Sequence, residues 1–250
     1  VLGILLLVAV FVPGPRANWG TSRSWLKLGP FSLQPIEFVK LFLLIYFAYW
    51  FEKKSSKEVA SLQKGLLPFL VVFCVCAVLI MKQPDLGGLL IVSVIAFSMY
   101  FMACAQLQYF AGLFALGVAG VIWMIKIAPY RLARLATFLH PELDPKGIGY
   151  QINQAFLAIG SGGLFGLGLG QSRQKYLYLP EVAVDSIFAI MAEELGFFIM
   201  VGFLALFVCF VFRMIRIARN AHDAFGRYIT IGIVAWIFFQ ALCNIGSMVG

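Results

Sequence analysis

The sequence predicts an all-α polytopic membrane protein, and three observations lead there. Hydrophobic residues make up 62% of the 250 residues and charged ones only 12%, with a mean hydropathy of +0.94, whereas soluble domains hold about 25% charged residues. Apolar stretches at 35–51, 65–81, 86–105, 109–128, 186–212 and 229–249 approach the roughly 20 residues a helix needs to cross a hydrocarbon core. The alternation of a membrane β-barrel is missing, and backbone in lipid must satisfy its own hydrogen bonds, so these runs are expected to be helices.

Val1 to Val12 is apolar but too short to span, the start offers neither a Met nor a signal-peptide n-region, and Ile229–Gly250 has no polar tail. The chain therefore reads as an internal piece of a larger protein, with 1–250 forming a single transmembrane domain. Pro13-Gly14-Pro15 stops the first run. The connector Arg16–Leu33 mixes Trp19 and Trp25 with Arg23 and Lys27, as a membrane–water interface does. Pro35 then opens the next helix at a first-turn position. Glu37 and Lys40 follow three residues apart, so they share a helix face. Such a pair at membrane depth is equally consistent with a local contact that helps insertion and with charges facing a cavity.

Orientation follows from the basic connectors. Glu52–Lys64 carries four lysines and Arg213–Arg227 four arginines. Both fall on one side in the helix count, as short Lys- and Arg-rich cytoplasmic loops should. The connectors 16–33 and 81–85 and the long interval 129–185 are then outside. In the 81–85 turn, Asp85 is placed to cap the following helix. Gly117 and Gly120 read as a close helix-packing surface. The net charge of +8 divides between the two faces, so topology and anionic lipid explain the inner part and no nucleic-acid partner is expected. Arg131, Arg134, Lys146, Arg173 and Lys175 in the outer interval suit an anionic headgroup, with phosphate the obvious candidate. The five cysteines all lie in apolar runs and read as packing residues. His140 and His222 lack metal-ligand spacing.

Polar chemistry concentrates between His140 and Phe197. The cluster Gly160-Ser161-Gly162-Gly163, Gly166, Gly168, Gly170 lacks the Lys-Ser/Thr of a phosphate loop and reads as the tight turns of a re-entrant segment lining a cavity. Asp185 precedes an apolar run, where it could be an N-cap. If the helix begins at Pro180, Glu181 lies one turn away and repulsion raises one of the two pKa values, making a general base. Composition does not choose. Glu193 and Glu194, about two turns beyond Asp185, read as structural.

Certain motifs, taken together, resemble the SEDS family (shape, elongation, division and sporulation) over nearly the whole chain. They are Arg23-Ser24-Trp25 with Leu28-Gly29-Pro30, Gln34-Pro35-Ile36-Glu37-Phe38-Val39-Lys40, Gln83-Pro84-Asp85-Leu86-Gly87, Gly149-Tyr150-Gln151, Ala158-Ile159-Gly160-Ser161-Gly162-Gly163, Gln174-Lys175, Tyr178-Leu179-Pro180-Glu181, Asp185 and Glu193-Glu194-Leu195-Gly196. The tract from Ile217 to Arg227 and that from Ala235 to Gly246 are more similar to its division branch (FtsW-like) than to its elongation branch (RodA-like).

The resemblance implies about seven of the family's ten membrane helices, the first partial, in the bacterial cytoplasmic membrane. It also implies a peptidoglycan glycosyltransferase that polymerises lipid II, an undecaprenyl-pyrophosphate-linked disaccharide-pentapeptide, on the outer face during septal wall synthesis. The essential acid maps to Asp185 and the membrane charge pair to Glu37 and Lys40, with Glu181 a possible second acid. Arg23, Arg131, Arg134 and Lys175 are candidates for the pyrophosphate, and a divalent cation, Mg or Mn, could share that task, although no metal ligands can be assigned. Implied partners are a class B penicillin-binding protein transpeptidase and other division proteins. Two departures stand out: Ala183-Val184 replace the usual His-Thr before Asp185, and Ile36 replaces Ser. The competing expectations are a lipid II flippase and a non-catalytic scaffold for a transpeptidase.

Overall fold

A computed structural model of the chain describes residues 2–11, 16–19, 22–28, 31–104, 148–174 and 186–249, with isolated positions at 108, 111–112, 115, 117, 119–120, 122, 126 and 136–137. The expected helix 109–128, most of the outer interval 129–147 and the stretch 175–185 thus lie wholly or largely outside the described residues. Among the described residues, four helices are long and apolar enough to cross a membrane, over Leu62–Met81, Leu86–Ala103, Ile187–Arg219 and Ala224–Val249. The protein is membrane-embedded and mostly helical. The helix Pro35–Glu52, α2, is also 18 residues long but carries Glu37, Lys40 and Glu52, which sets it apart from those four.

The described chain groups into two compact units, one of residues 1–110 with 213–239 and one of 111–212 with 240–250. In the first unit, α1 (Leu2–Ala9) packs on α2. The connector between them is not a plain loop, as its polar sequence suggested. It forms a three-stranded antiparallel meander, β1 (Arg16–Trp19), β2 (Ser22–Leu28) and β3 (Phe31–Leu33), in the order β1-β2-β3. Ala17 pairs with Trp25 and Leu26 with Leu33. The sheet lies against α2 through β2.

After α2, Ser55 and Glu58 form a capping box on α3 (Ser56–Val59). Glu58 accepts from the Ser55 N–H and hydroxyl, and these bonds, backbone first, hold its carboxyl below the ordinary range. A π-turn at Leu62–Leu66 follows, folded so closely that a Cβ on Gly65 would overlap the Val59 carbonyl. It leads into α4 (Leu67–Met81), and a tight turn then opens α5 (Leu86–Cys104). Asp85 caps that helix, accepting from the Gly88 N–H at 2.8 Å. The core is aromatic: Phe47, Phe51, Phe69 and Tyr100 are buried and meet in tilted, stacked or edge-on pairs at 4.8–6.1 Å. Each such pair adds roughly 0.5–1.5 kcal/mol beyond area burial. The Tyr100 hydroxyl donates to the Val59 carbonyl, tying α5 to the connector.

The basic connector at 213–227 is shorter than the hydropathy pattern suggests. Helix α7 (Ile187–Arg219) continues through Arg213, Arg216 and Arg219, because Arg is a good helix former and suits a C-terminal turn. Helix α8 starts at Ala224, where Asp223 accepts from the Gly226 N–H at 2.6 Å. Only Asn220–Asp223 remain as turn. In the second unit, α6 (Ile148–Gly162) and the start of α7 meet through Ala155, Ala158 and Ala189, with Met248 of α8 in the same cluster. Small side chains let such backbones approach closely.

Candidate functional site

In the first unit the first turn of α2 carries the charge pair. Pro35 stands at the helix start and Gln34 before it is extended, which fixes the phase of the following face. Lys40 Nζ lies 2.7 Å from Glu37 Oε1; Lys40 is 3% exposed and Glu37 43%. The ammonium also sits 5.0 Å above the Trp236 ring of α8, a cation–π distance. Trp236 was not anticipated from sequence. Its place follows from Gly232 one turn earlier, where a Cβ would press to 2.9 Å on both Leu44 and Met99. Gly232 opposite Leu44 and Trp236 opposite Lys40 are one turn apart on each helix, the register of two helices packed side by side. A buried ammonium is costly unless paired, and here a carboxylate and an aromatic face surround it.

In the second unit the Gly cluster and α7 form one structure. Gly163, Gly166, Gly168 and Gly170 all have positive φ, so tight turns follow α6, as the cluster suggested. Helix α7 is interrupted at Gly196, whose φ of 77° and ψ of 174° belong to a region open essentially to Gly alone. That interruption did not show in the apolar pattern. The backbone groups it frees are paired with the Gly segment. The carbonyls of Glu193 and Glu194 accept from the N–H groups of Leu167 and Gly168, and the N–H groups of Phe197 and Phe198 donate to the carbonyls of Gly163 and Leu164, all at 3.0–3.2 Å. In an unbroken helix Phe197 and Phe198 would donate to Glu193 and Glu194. The Gly segment thus stands in for one turn of helix, as lipid-depth backbone requires.

Contact is close enough to exclude side chains. A Cβ on Gly166 would overlap the Glu194 carbonyl, one on Gly196 would overlap the backbone at Phe165–Gly166, and one on Gly162 would overlap the Ala192 carbonyl. Past the Gly cluster, Glu193, 1% exposed, accepts from the Ser172 hydroxyl at 2.5 Å, the Arg173 N–H at 3.0 Å and the Gln174 N–H at 3.4 Å. Glu194 accepts from the Ser172 N–H at 3.4 Å.

Asp185, Glu181, Lys175, Arg131 and Arg134 lie outside the described residues, and of Arg23 only its backbone place in β2 is described. Asp185 directly precedes the buried Ser186, whose carbonyl accepts from the Ile190 N–H in the first turn of α7. Among the described residues no group of three or more His, Cys, Asp or Glu side chains is arranged to hold a metal ion.

Comparison with known proteins places these features in a family. A family model for the FtsW/RodA/SpoVE cell cycle proteins matches residues 1–250. Stage V sporulation protein E of Bacillus subtilis is 42% identical over 250 residues, all of this chain and 68% of that protein. A probable peptidoglycan glycosyltransferase FtsW of Trichlorobacter lovleyi is 38% identical over 249 residues, covering 65% of its length. Among solved structures, a peptidoglycan synthase complex described as coordinating polymerization and crosslinking contains a chain that superposes with a TM-score of 0.75 at 27% identity, over 100% of this chain and 68% of that one. The rod shape determining protein RodA of Thermus thermophilus matches with a TM-score of 0.64 at 28% identity, over 100% of this chain and 64% of that one. The chain therefore spans about two thirds of the length of these relatives.

Proposed function

The chain belongs to the FtsW/RodA/SpoVE family of cell cycle proteins, and from that membership we propose that it is the catalytic membrane portion of a peptidoglycan glycosyltransferase that polymerises lipid II at the outer face of the bacterial cytoplasmic membrane. The observation that carries this reading is the extent of the match, since relatives named as probable peptidoglycan glycosyltransferases align with the entire chain.

The acceptor sugar's 4-hydroxyl attacks the anomeric carbon of the donor. Its proton passes to the Asp185 carboxylate, the new glycosidic C–O bond forms, and the bond from the anomeric carbon to the pyrophosphate oxygen breaks, its electron pair leaving with undecaprenyl pyrophosphate. A positioned general base supplies roughly 10²–10⁴-fold in rate. Charge grows on the pyrophosphate as it leaves, and Lys175, with Arg23, Arg131 and Arg134, is assigned to neutralise it. Glu181 is the second acid of the same interval. With Ala183-Val184 before it, Asp185 has no side-chain hydroxyl or imidazole on its two preceding neighbours to tune it. The Glu37–Lys40 ion pair is assigned a supporting role.

A class B penicillin-binding protein transpeptidase is the proposed partner, supported by the similarity to a chain of a peptidoglycan synthase complex. The full protein, purified with its transpeptidase and given fluorescent lipid II, is expected to produce glycan polymer resolvable on a gel. In parallel, proteoliposomes report any transfer of labelled lipid II between leaflets. Transfer without polymer would replace the glycosyltransferase by a flippase, and neither product would leave a scaffold.

A further inference from the structure

The turn between α7 and α8 borders a cavity that the proposed reaction does not use. It measures about 430 Å³, within the range of about 300–1,000 Å³ that small-molecule sites occupy. Arg213 and Arg216 line it from the last turns of α7, Asn220 and His222 from the turn, and Ile217 and Asp223 are also in its wall. The spacing explains the convergence, since 213, 216, 217 and 220 follow the i, i+3, i+4, i+7 pattern of one helix face.

Two guanidiniums on one face repel each other unless an anion joins them. Among the described residues, neither Arg213 nor Arg216 has an ion pair or a side-chain hydrogen bond. Asp223, the acid in the wall, is used elsewhere: it caps α8, accepting from the Gly226 N–H at 2.6 Å. The other basic connector differs. There Lys53 lies over the Tyr49 ring, and Lys54 lies over Trp50 and donates to the Lys64 carbonyl. Those ammonium groups are met locally, whereas the donors of Arg213 and Arg216 are open to a ligand.

The wall selects an anion with several acceptor oxygens, because a guanidinium presents its N–H donors in a planar fork that matches phosphate bidentately. The Asn220 amide adds further donors. Position selects the source of that phosphate. The cavity lies at the end of an apolar helix long enough to cross a membrane, and Ile217 in its wall is 48% exposed, so apolar surface adjoins the cationic one. Basic pockets at the membrane ends of helices hold anionic lipid headgroups by this combination.

We propose that this cavity binds the phosphate of an anionic membrane lipid, held by Arg213 and Arg216 at the α7–α8 turn.

The test uses the full protein, stripped of lipid in a nonionic detergent and titrated with dioleoylphosphatidylglycerol, dioleoylphosphatidylcholine or inorganic phosphate. Binding to the folded state raises the melting temperature, which gives an apparent Kd. Phosphatidylglycerol is expected to bind wild type about tenfold or more tightly than the other two. Arg213→Gln/Arg216→Gln is expected to weaken it about tenfold or more through loss of charge-assisted hydrogen bonds. Arg213→Lys/Arg216→Lys keeps the charge without the fork and is expected to weaken it about threefold or more. Lys57→Gln/Lys64→Gln removes the same charge from exposed positions of the other connector and is expected to stay within about twofold. Wild-type affinity in Arg213→Gln/Arg216→Gln overturns the site, and so does equal weakening in Lys57→Gln/Lys64→Gln, the mark of diffuse attraction. Inorganic phosphate or phosphatidylcholine binding as tightly as phosphatidylglycerol overturns the assignment to an anionic lipid. If Arg213→Gln/Arg216→Gln does not fold, Arg213→Lys/Arg216→Lys decides: threefold weakening supports the site and wild-type affinity overturns it.

Discussion

Lys40 shows how a single residue is held in this membrane protein and what removing each of its neighbours costs. Truncating Glu37 takes the nearest carboxylate from an ammonium that is 3% exposed, and loss of one partner of a buried pair costs on the order of 3–5 kcal/mol. Truncating Lys40 strands only a carboxylate that is 43% exposed, where solvent screening brings the loss down to about 1 kcal/mol. Glu37→Ala is therefore expected to lower the melting temperature in detergent more than Lys40→Ala, and Trp236→Leu to fall near the milder one. Equal effects of Glu37→Ala and Lys40→Ala would mean that burial does not govern the pair. The spacing of Glu37 and Lys40 was legible because i and i+3 share a helix face whatever the fold. Trp236 was not, since nothing local states which turn of α8 lies beside α2; only Gly232 hints at it. Glu193 read as structural because it stands about two turns from Asp185; its donors were not legible, since two of the three are backbone N–H groups, which every sequence possesses.

At the scale of elements, the interrupted α7 and the Gly segment make a single unit that neither would form alone. Gly196→Ala meets two penalties, a backbone conformation costing about 1–3 kcal/mol for a residue with a side chain and an overlap with the backbone at Phe165–Gly166. Gly166→Ala meets a positive φ and the Glu194 carbonyl. Both are expected to reduce folded protein in the membrane sharply, while Gly170→Ala, which has a positive φ but open space around it, costs only the strain. Size-exclusion profiles and melting temperatures of the three variants check the order, and a Gly196→Ala protein as stable as Gly170→Ala would contradict it. Sequence gave away the turns through the density of glycines, and the apolar runs gave away the helices. Their ends were less readable: Arg213, Arg216 and Arg219 look like a loop in a hydropathy profile, yet they extend α7 because helix propensity does not follow hydropathy. The small sheet at 16–33 was hidden in the same way by its interfacial composition.

At the scale of the molecule, the family is shown by a match along the whole chain, and the proposed chemistry centres on Asp185. Membrane embedding, helical architecture and family were all readable from sequence, the first two from physics and the last from motif order. The base, by contrast, was named by its place in a motif, since an Asp before an apolar run is equally an N-cap. The most direct measurement is therefore the rate of lipid II polymerisation by the full protein with its transpeptidase, wild type against Asp185→Asn at matched folded protein. Loss of at least about 100-fold is predicted from the removal of a general base. A rate within twofold of wild type would contradict the assignment of Asp185 as the base.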